Sequence, residues 1–186
     1  PSISLYETVQ KVKLALDSYY AKLCNRINLE WKRCVKEAGG MTAVHALRQQ
    51  DFYESQIKPI QKKVVVIISD ALRYEVAQEL MGVLAKRKHI AHLNFGVAML
   101  PSETKFCKPA LLPHRELRLY GEENGTQNMG VDNRILDSTA KRTEQVDSYR
   151  SGAICVDYEV VGKYDQEKNR EIFKHPLVYV MHNTID

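Results

Sequence analysis

A run of five β-branched apolar residues is the feature that most restricts the fold of this chain. Residues 64–68 are three valines followed by two isoleucines, and Ser69 and Asp70 come directly after them. A strand that is apolar on both faces is typical of the interior of a parallel sheet, where helices cover each side. The run is far shorter than the about 20 apolar residues that a membrane-spanning helix needs. We therefore expect an α/β protein without a membrane segment.

The segments after this run alternate between helix and strand patterns. The pattern predicts helices over 74–86, 103–112 and 166–173, and strands over 92–99, 153–156 and 177–181. Such alternation indicates a mostly parallel, doubly wound α/β sheet. Residues 113–150 interrupt it, because they are rich in glycine, asparagine, aspartate and charge. We expect a polar insertion there with a short hairpin.

The first third of the chain predicts a helical segment, which we place at 1–62, ahead of an α/β domain over 63–186. Its apolar stripe recurs every three or four residues, at Val9, Val12, Leu16, Tyr19, Leu23 and Ile27. Residues 1–63 hold 11 Lys and Arg against 6 Asp and Glu, a net charge of +5. We expect the stripe to pack in a core and the charge to lie on a solvated face. Docking onto another domain and contact with nucleic acid are the alternatives.

Polar groups follow three of the predicted strands. Asp70 follows the first strand, Thr104 the second, and His182 with Asp186 the third. Because function in an open parallel sheet gathers at the carboxyl ends of the strands, these groups are candidates for one site. Carboxylate and imidazole ligands suit a divalent metal ion, and a hydroxyl activated by such an ion is a nucleophile.

Each of these groups also has a structural interpretation. Asp70 is a good cap for the helix that follows, and Arg73 is a candidate ion-pair partner for it. Ser102 is the natural cap of the next helix, which would leave Thr104 in its first turn. His182 and Asp186 would then belong to an ordinary polar loop. The residue types alone do not decide between these interpretations.

Three segments in order resemble the motifs of a known family, the PglZ domain. Residues 66–77 read VIISDALRYEVA, and residues 100–104 read LPSET, followed by ALLPH at 110–114. Residues 178–186 read VYVMHNTID. The resemblance runs from about Lys63 to the last residue, and the preceding helices resemble the helical segment ahead of this domain in longer proteins.

The resemblance implies a fold and a chemistry. PglZ domains belong to the alkaline phosphatase superfamily, which implies an alkaline-phosphatase-like sheet and hydrolysis of phosphate monoesters or diesters with two zinc ions. It implies Thr104 as the nucleophile and Asp70, His182 and Asp186 as metal ligands. Several such proteins act in phage defence of the BREX or phage-growth-limitation type. The expected partners are a phosphate ester, other defence proteins and nucleic acid.

Two departures from the family pattern shape the expectation for this chain. Residues 105–109 are bulkier and more basic than the family usually has after the nucleophile. We assign Lys105 and Lys108 to substrate binding, and a site that has diverged from the family's chemistry is the alternative. In the superfamily further ligands follow later in the sequence than Asp186. We therefore expect a truncated domain that is inactive by itself and binds no metal tightly. With no secretion signal and no C-x-x-C pair, we expect a cytoplasmic protein.

Two other functions stay open at this point. The first is a non-catalytic interaction or nucleic-acid-binding module of a defence complex. The second is a receiver-like domain that accepts a phosphoryl group on Asp70. The second is disfavoured because the acidic cluster that would hold magnesium is absent before Asp70.

Overall fold

The structure, a computed structural model, describes residues 4–121 and 125–183. The chain divides into two units, Pro1–His45 and Ala46–Asp186. The first unit consists of helix α1 (Leu5–Glu37) and a single 3-10 turn at Met41–Ala43. None of the helices in the described ranges combines the length and the apolar character that crossing a bilayer requires.

Helix α1 has a capping box at its start and two glycines after its end. The backbone N–H of Glu7 donates to the Ser4 hydroxyl at 3.2 Å, and the Glu7 carboxylate accepts from the N–H of Ser4, which forms a capping box. The helix ends just before Gly39 and Gly40, which adopt φ angles of 91° and 116°. The six residues of its apolar stripe are each more than half exposed, contrary to our expectation that they pack in a core.

The second unit combines short strands with helices. Its strands are β1 (Leu47–Arg48), β2 (Val64–Ser69), β3 (Gly96–Val97), β4 (Leu117–Gly121), β5 (Gln127–Val131), β6 (Arg134–Ile135), β7 (Ile154–Asp157) and β8 (Leu177–His182). Its α-helices are α2 (Tyr74–Lys86), α3 (Thr104–Ala110), α4 (Thr139–Tyr149), α5 (Tyr158–Val161) and α6 (Gln166–Ile172). Short 3-10 and π turns cover Gln49–Asp51 and Tyr53–Ile57.

The main sheet is parallel and confirms the predicted α/β class. Its strand order is β2-β8-β7, and residues Leu177 to Met181 of β8 are all buried. The register pairs Ser69 with His182, so β2 and β8 end at the same level. The predicted strands near 64–68, 153–156 and 177–181 and the helix over 74–86 are therefore confirmed.

The position of β2 within this sheet differs from the expectation. Among the described residues β2 pairs only with β8, so β8 is the central strand and β2 lies at the edge. Val66 and Ile68 are buried, but Val65 is 42% exposed and Ile67 is 64% exposed. The prediction that helices cover both faces of this strand is wrong, because only one face packs on the core.

Two other predicted segments also differ in extent. The strand expected over 92–99 is reduced to β3, which pairs with β1 in a separate two-stranded parallel sheet. The second unit begins at Ala46, ahead of the predicted start of the α/β domain at residue 63. Tyr53 and Ile57 lie in the same buried cluster as the main sheet, which ties the segment before β2 to this unit.

The polar insertion contains more ordered structure than a hairpin. Strands β4, β5 and β6 form an antiparallel meander, and α4 follows it. Val131 and Val146 join the buried cluster of the main sheet, and Thr143 accepts the N–H of Cys155 at 3.0 Å. The insertion is therefore packed onto the sheet through a small number of apolar residues.

Asp132, in the turn between β5 and β6, connects the meander to α4. One carboxylate oxygen accepts hydrogen bonds from the backbone N–H groups of Arg115 and Glu116, at 2.8 and 3.0 Å. The other accepts from the Gln145 amide at 2.9 Å and the Tyr149 hydroxyl at 2.5 Å. Burial by itself would raise the pKa of Asp132, but the four hydrogen bonds outweigh it and lower the pKa from 3.8 to about 2.

Gly130 in β5 lies under the ring of Tyr120 in the neighbouring strand. A Cβ atom at Gly130 would overlap the Cε2 atom of that ring. The ring is also held by a hydrogen bond of 3.3 Å from its hydroxyl to Asn133. We expect Gly130→Ala to displace the ring and to lower the free energy of unfolding by about 1–2 kcal/mol in urea denaturation.

The matched control is Gly121→Ala in the adjacent strand. A Cβ atom there would meet no atom of the described residues within 4 Å, so this change should leave stability unaltered or slightly raised. Equal stability of the two variants would contradict the role given to the Tyr120 ring.

Candidate active site

The parallel pairing of β2 and β8 brings Asp70 and His182 together. Asp70 follows the last residue of β2, and His182 is the last residue of β8. The backbone N–H of Asp70 donates to the carbonyl oxygen of His182 at 2.9 Å. The two side chains predicted as metal ligands therefore leave the sheet at the same edge, as the sequence indicated.

Thr104 joins this edge from the start of α3. Its hydroxyl is exposed and donates to Oδ1 of Asp70 at 3.4 Å. Glu103 occupies the cap position of α3, so the interpretation of Ser102 as the cap is wrong. The described structure thus brings the predicted nucleophile beside the first predicted ligand.

Asp70 does not cap the following helix. The cap position of α2 is Arg73, and it makes no side-chain capping hydrogen bond. Instead, Oδ1 of Asp70 accepts a hydrogen bond of 3.1 Å from the backbone N–H of Ala71. Ala71 itself adopts a φ angle of 58°. A non-glycine residue in the left-handed region is uncommon and often lies at functional sites. The capping interpretation of Asp70 is therefore wrong.

The two lysines of α3 have different surroundings. The Nζ atom of Lys108 lies 3.8 Å from Oδ2 of Asp70 and donates to Oδ1 of Asn183. The Lys108 side chain is only 17% exposed, whereas that of Lys105 is 46% exposed. Lys105 pairs with Glu103 at 3.4 Å. Lys108 is thus the cation held against the Asp70 carboxylate, and Lys105 lies at the surface.

His182 is held by two neighbours that the sequence analysis missed. Its Nδ1 atom shares a hydrogen bond of 2.8 Å with the Ser69 hydroxyl. The ring of Tyr158 packs edge-on against the imidazole, with 4.6 Å between the ring centroids. The bond to Ser69 engages Nδ1 and leaves Nε2 as the other nitrogen available to a ligand. Ser69 could have been found from the parallel register, whereas Tyr158 carries no sequence signal.

The donor set tests whether a metal ion fits this edge. Asp70 and Thr104 supply a carboxylate and a hydroxyl oxygen, and His182 supplies an imidazole nitrogen, all of which are ligand types for zinc. Within 4–121 and 125–183, no three His, Cys, Asp or Glu side chains cluster closely enough to hold an ion. Asp186 lies outside the described residues. The donor atoms at this edge are of the types that bind a divalent ion. They would supply part of its ligand shell.

A cavity of about 370 Å³ opens beside Thr104. Thr104, Lys105 and Lys108 line it from α3, and Asn128 and Arg142 line it from β5 and α4. This volume lies within the range of small-molecule sites. The insertion over 113–150 therefore forms one side of a cavity whose other side carries the predicted nucleophile.

Comparison of the sequence with models of known families identifies the family of this chain. The model of the BREX system PglZ alkaline phosphatase-like domain matches residues 52–186. The chain belongs to the PglZ family. The match covers β2, α3 and β8, which are the elements that carry Asp70, Thr104 and His182.

Two curated PglZ relatives are similar to most of this chain. The alkaline phosphatase-like protein BrxZ of Escherichia coli O9:H4 (strain HS) is 36% identical over 145 residues, which are 75% of this chain. The alkaline phosphatase-like protein PglZ of Bacillus cereus (strain H3081.97) is 31% identical over 143 residues, or 74% of the chain. The chain spans 16% of the length of each relative. No solved structure matches the chain.

Proposed function

We propose that this chain carries the nucleophile and the first metal ligands of a phosphate-ester hydrolase that works in a BREX phage-defence system. The observation that carries the proposal is the hydrogen bond of 3.4 Å from the Thr104 hydroxyl to Asp70, at the carboxyl edge of a parallel sheet. Membership of an alkaline phosphatase-like family supports the same reaction class. The substrate is a phosphate monoester or diester.

In the proposed reaction Thr104 forms a covalent intermediate. Its Oγ1 atom bonds to phosphorus as the bond to the ester oxygen breaks, and the hydroxyl proton is released toward the Asp70 carboxylate that accepts its hydrogen bond. The ester oxygen leaves with the bonding electron pair and takes a proton from water to give the alcohol. Water then attacks the phosphorus of the phosphothreonine, which restores the Thr104 hydroxyl and releases phosphate from a monoester substrate or a phosphate monoester from a diester substrate. Lys108, and Lys105 at the surface, offset the negative charge of the phosphoryl oxygens.

Zinc is the proposed metal, and Asp70, His182 and Asp186 are the residues that would hold it. When bound, zinc supplies Lewis-acid stabilisation of the phosphoryl oxygens and of the attacking oxygen. The imidazole of His182 is oriented for this role by its hydrogen bond to Ser69, because engaging Nδ1 fixes the ring.

The proposal is tested by hydrolysis of bis(4-nitrophenyl) phosphate and 4-nitrophenyl phosphate by the whole protein. We expect hydrolysis of at least one of them, a loss of at least about tenfold after dialysis against a chelator, and recovery on addition of zinc. Release of 4-nitrophenolate is followed by absorbance.

Two outcomes contradict the proposal. A rate unchanged by the chelator would exclude the metal. No hydrolysis of either ester with zinc present, together with salt-dependent binding to duplex DNA, would favour a non-catalytic nucleic-acid-binding module instead.

A further inference from the structure

The cavity beside Thr104 is larger than a reacting phosphoryl group requires. Its volume is about 370 Å³, and its lining comes from α3, β5, β6, α4 and β8. A phosphoryl group at Thr104 would occupy only the part of it next to α3. The remaining space is continuous with the nucleophile, so it suits the organic portion of an ester.

Part of the lining is apolar and buried. Leu112, Met129 and Met181 line the cavity, and their side chains are between 0% and 6% exposed. Such a surface favours an aliphatic or aromatic body over a sugar or a water-filled channel. The two methionines are flexible and polarisable, which suits contact with an aromatic ring.

Arg142 places a cation in the same cavity. The residue is half-buried, and its Nε atom donates to the carbonyl oxygen of Leu136 at 3.1 Å. This bond restricts the plane of the guanidinium group. Among the residues that the structure describes, Arg142 has no carboxylate within 4.0 Å, although Asp137 is near enough for the guanidinium to contribute, after Lys141, to lowering the pKa of that carboxyl. A half-buried guanidinium with no ion-pair partner in the described part of the chain has the geometry and charge to bind an anion.

The charge of the other lining residues agrees with an anionic ligand. Lys105 and Lys108 add two positive charges near Thr104. The one carboxylate in the described lining is Asp137, which is paired with Lys141 at 2.9 Å. Three cations thus line the cavity against one carboxylate. Glu103 and Asp70, which lie outside the lining, pair with the two lysines of α3, so Arg142 of α4 is the lining cation with no such pair among the described residues.

We propose that Arg142 binds a second anionic group, so that the substrate is a phosphate ester whose apolar or aromatic body carries another phosphate or a carboxylate. The identity of the reacting phosphate rests on the proposed function. The preference for a ligand with two anionic groups rests only on the cavity and requires no catalysis, so the two are tested separately.

Binding is measured by isothermal titration calorimetry on the whole protein in the presence of a chelator, so that no turnover occurs. The probes are phenyl phosphate, 4-carboxyphenyl phosphate and 1,4-phenylene bisphosphate. We expect the two probes with a second anion to bind at least about tenfold more tightly than phenyl phosphate. Comparison of the two distinguishes a carboxylate from a second phosphate as the preferred group.

The decisive variant is Arg142→Gln. It should reduce the preference for the doubly anionic probes to about twofold or less, while the affinity for phenyl phosphate changes little. The control is Arg170→Gln, which removes the same charge from an exposed position on α6 and should leave the preference intact. Arg142→Lys keeps the positive charge but loses the planar set of guanidinium N–H donors. Its preference for the doubly anionic probes should lie between those of the unmodified protein and Arg142→Gln.

The outcomes separate the two proposals. Equal binding of all three probes by the unmodified protein, or an unchanged preference in Arg142→Gln, would overturn the role of Arg142. If Arg142→Gln fails to fold, an unchanged preference in Arg142→Lys would overturn it. Hydrolysis data do not enter this test, so a failure of the proposed reaction would leave the binding preference standing.

Discussion

Replacing Thr104 with valine is expected to lower the rate of phosphate-ester hydrolysis by the whole protein by at least about a thousandfold. Valine keeps the branched shape of threonine but lacks the oxygen that we propose attacks phosphorus. Thr104 is exposed, and its hydroxyl donates to Asp70 without contributing to the cap of α3. The change should therefore remove the nucleophile without disturbing the fold.

Two further variants make this test specific. Thr104→Ser retains a hydroxyl and should keep the rate within about tenfold of the unmodified protein. Ser102→Ala removes a nearby exposed hydroxyl that does not cap α3 and should have no measurable effect. Initial rates are compared at saturating substrate, with circular dichroism as the check on folding. A Thr104→Val rate within threefold of the unmodified protein would show that another group attacks phosphorus.

The largest expected effect on stability comes from Asp132→Asn. The carboxylate of Asp132 accepts four hydrogen bonds, two of them from the side chains of Gln145 and Tyr149 on α4. The asparagine side chain has only one oxygen that can accept hydrogen bonds. Its NH₂ group would face two of the N–H or O–H donors that now bind the second carboxylate oxygen. We expect the free energy of unfolding to fall by about 2–3 kcal/mol in urea denaturation at pH 7.

The same residue predicts a pH dependence of stability. The pKa of Asp132 is lowered from 3.8 to about 2 by folding, so the unfolded chain binds its proton more readily than the folded chain does. The contribution is fully present above pH 3.8 and is lost as the pH falls toward 2. The shift sets an upper limit of about 2.5 kcal/mol on this contribution, and solvent screening at a partly exposed carboxylate reduces it below that limit. The difference in unfolding free energy between the unmodified protein and Asp132→Asn should therefore shrink over this pH range.

Asp137→Asn is the matched control for Asp132. Its carboxylate lies on the surface, where its main partner is Lys141. Because exposed ion pairs contribute little, this variant should differ from the unmodified protein by less than about 0.5 kcal/mol. A comparable loss of stability in both variants would contradict the importance of the four hydrogen bonds to Asp132.

The fold could be predicted where local patterns are strong. The structure confirms the two strands predicted from apolar runs, β2 and β8, and the helix α2 predicted from its regular apolar spacing. The sequence did not indicate which of the two runs is central, since both are apolar on two faces and the pairing order depends on tertiary contacts. The exposure of Val65 and Ile67 follows from that order.

The candidate site was predictable to the extent that it depends on strand ends. Parallel strands end at one edge, which is why Asp70 and His182 could be grouped from the sequence. The insertion over 113–150 shows no regular spacing of apolar residues in the sequence. Its three-stranded meander and its packing against the main sheet were therefore not predicted. Arg142 could not be assigned for the same reason, because its place in the cavity is set by how α4 packs against the sheet.

The ladder between β2 and β8 also has a consequence for motion. Its last backbone bond joins the amide of Asp70 to the carbonyl of His182, so the residues that form the site also close the sheet. Separation of these two strands therefore dismantles the site in the same event. Solvent hydrogen exchange at the Asp70 amide reports directly on how often the site comes apart.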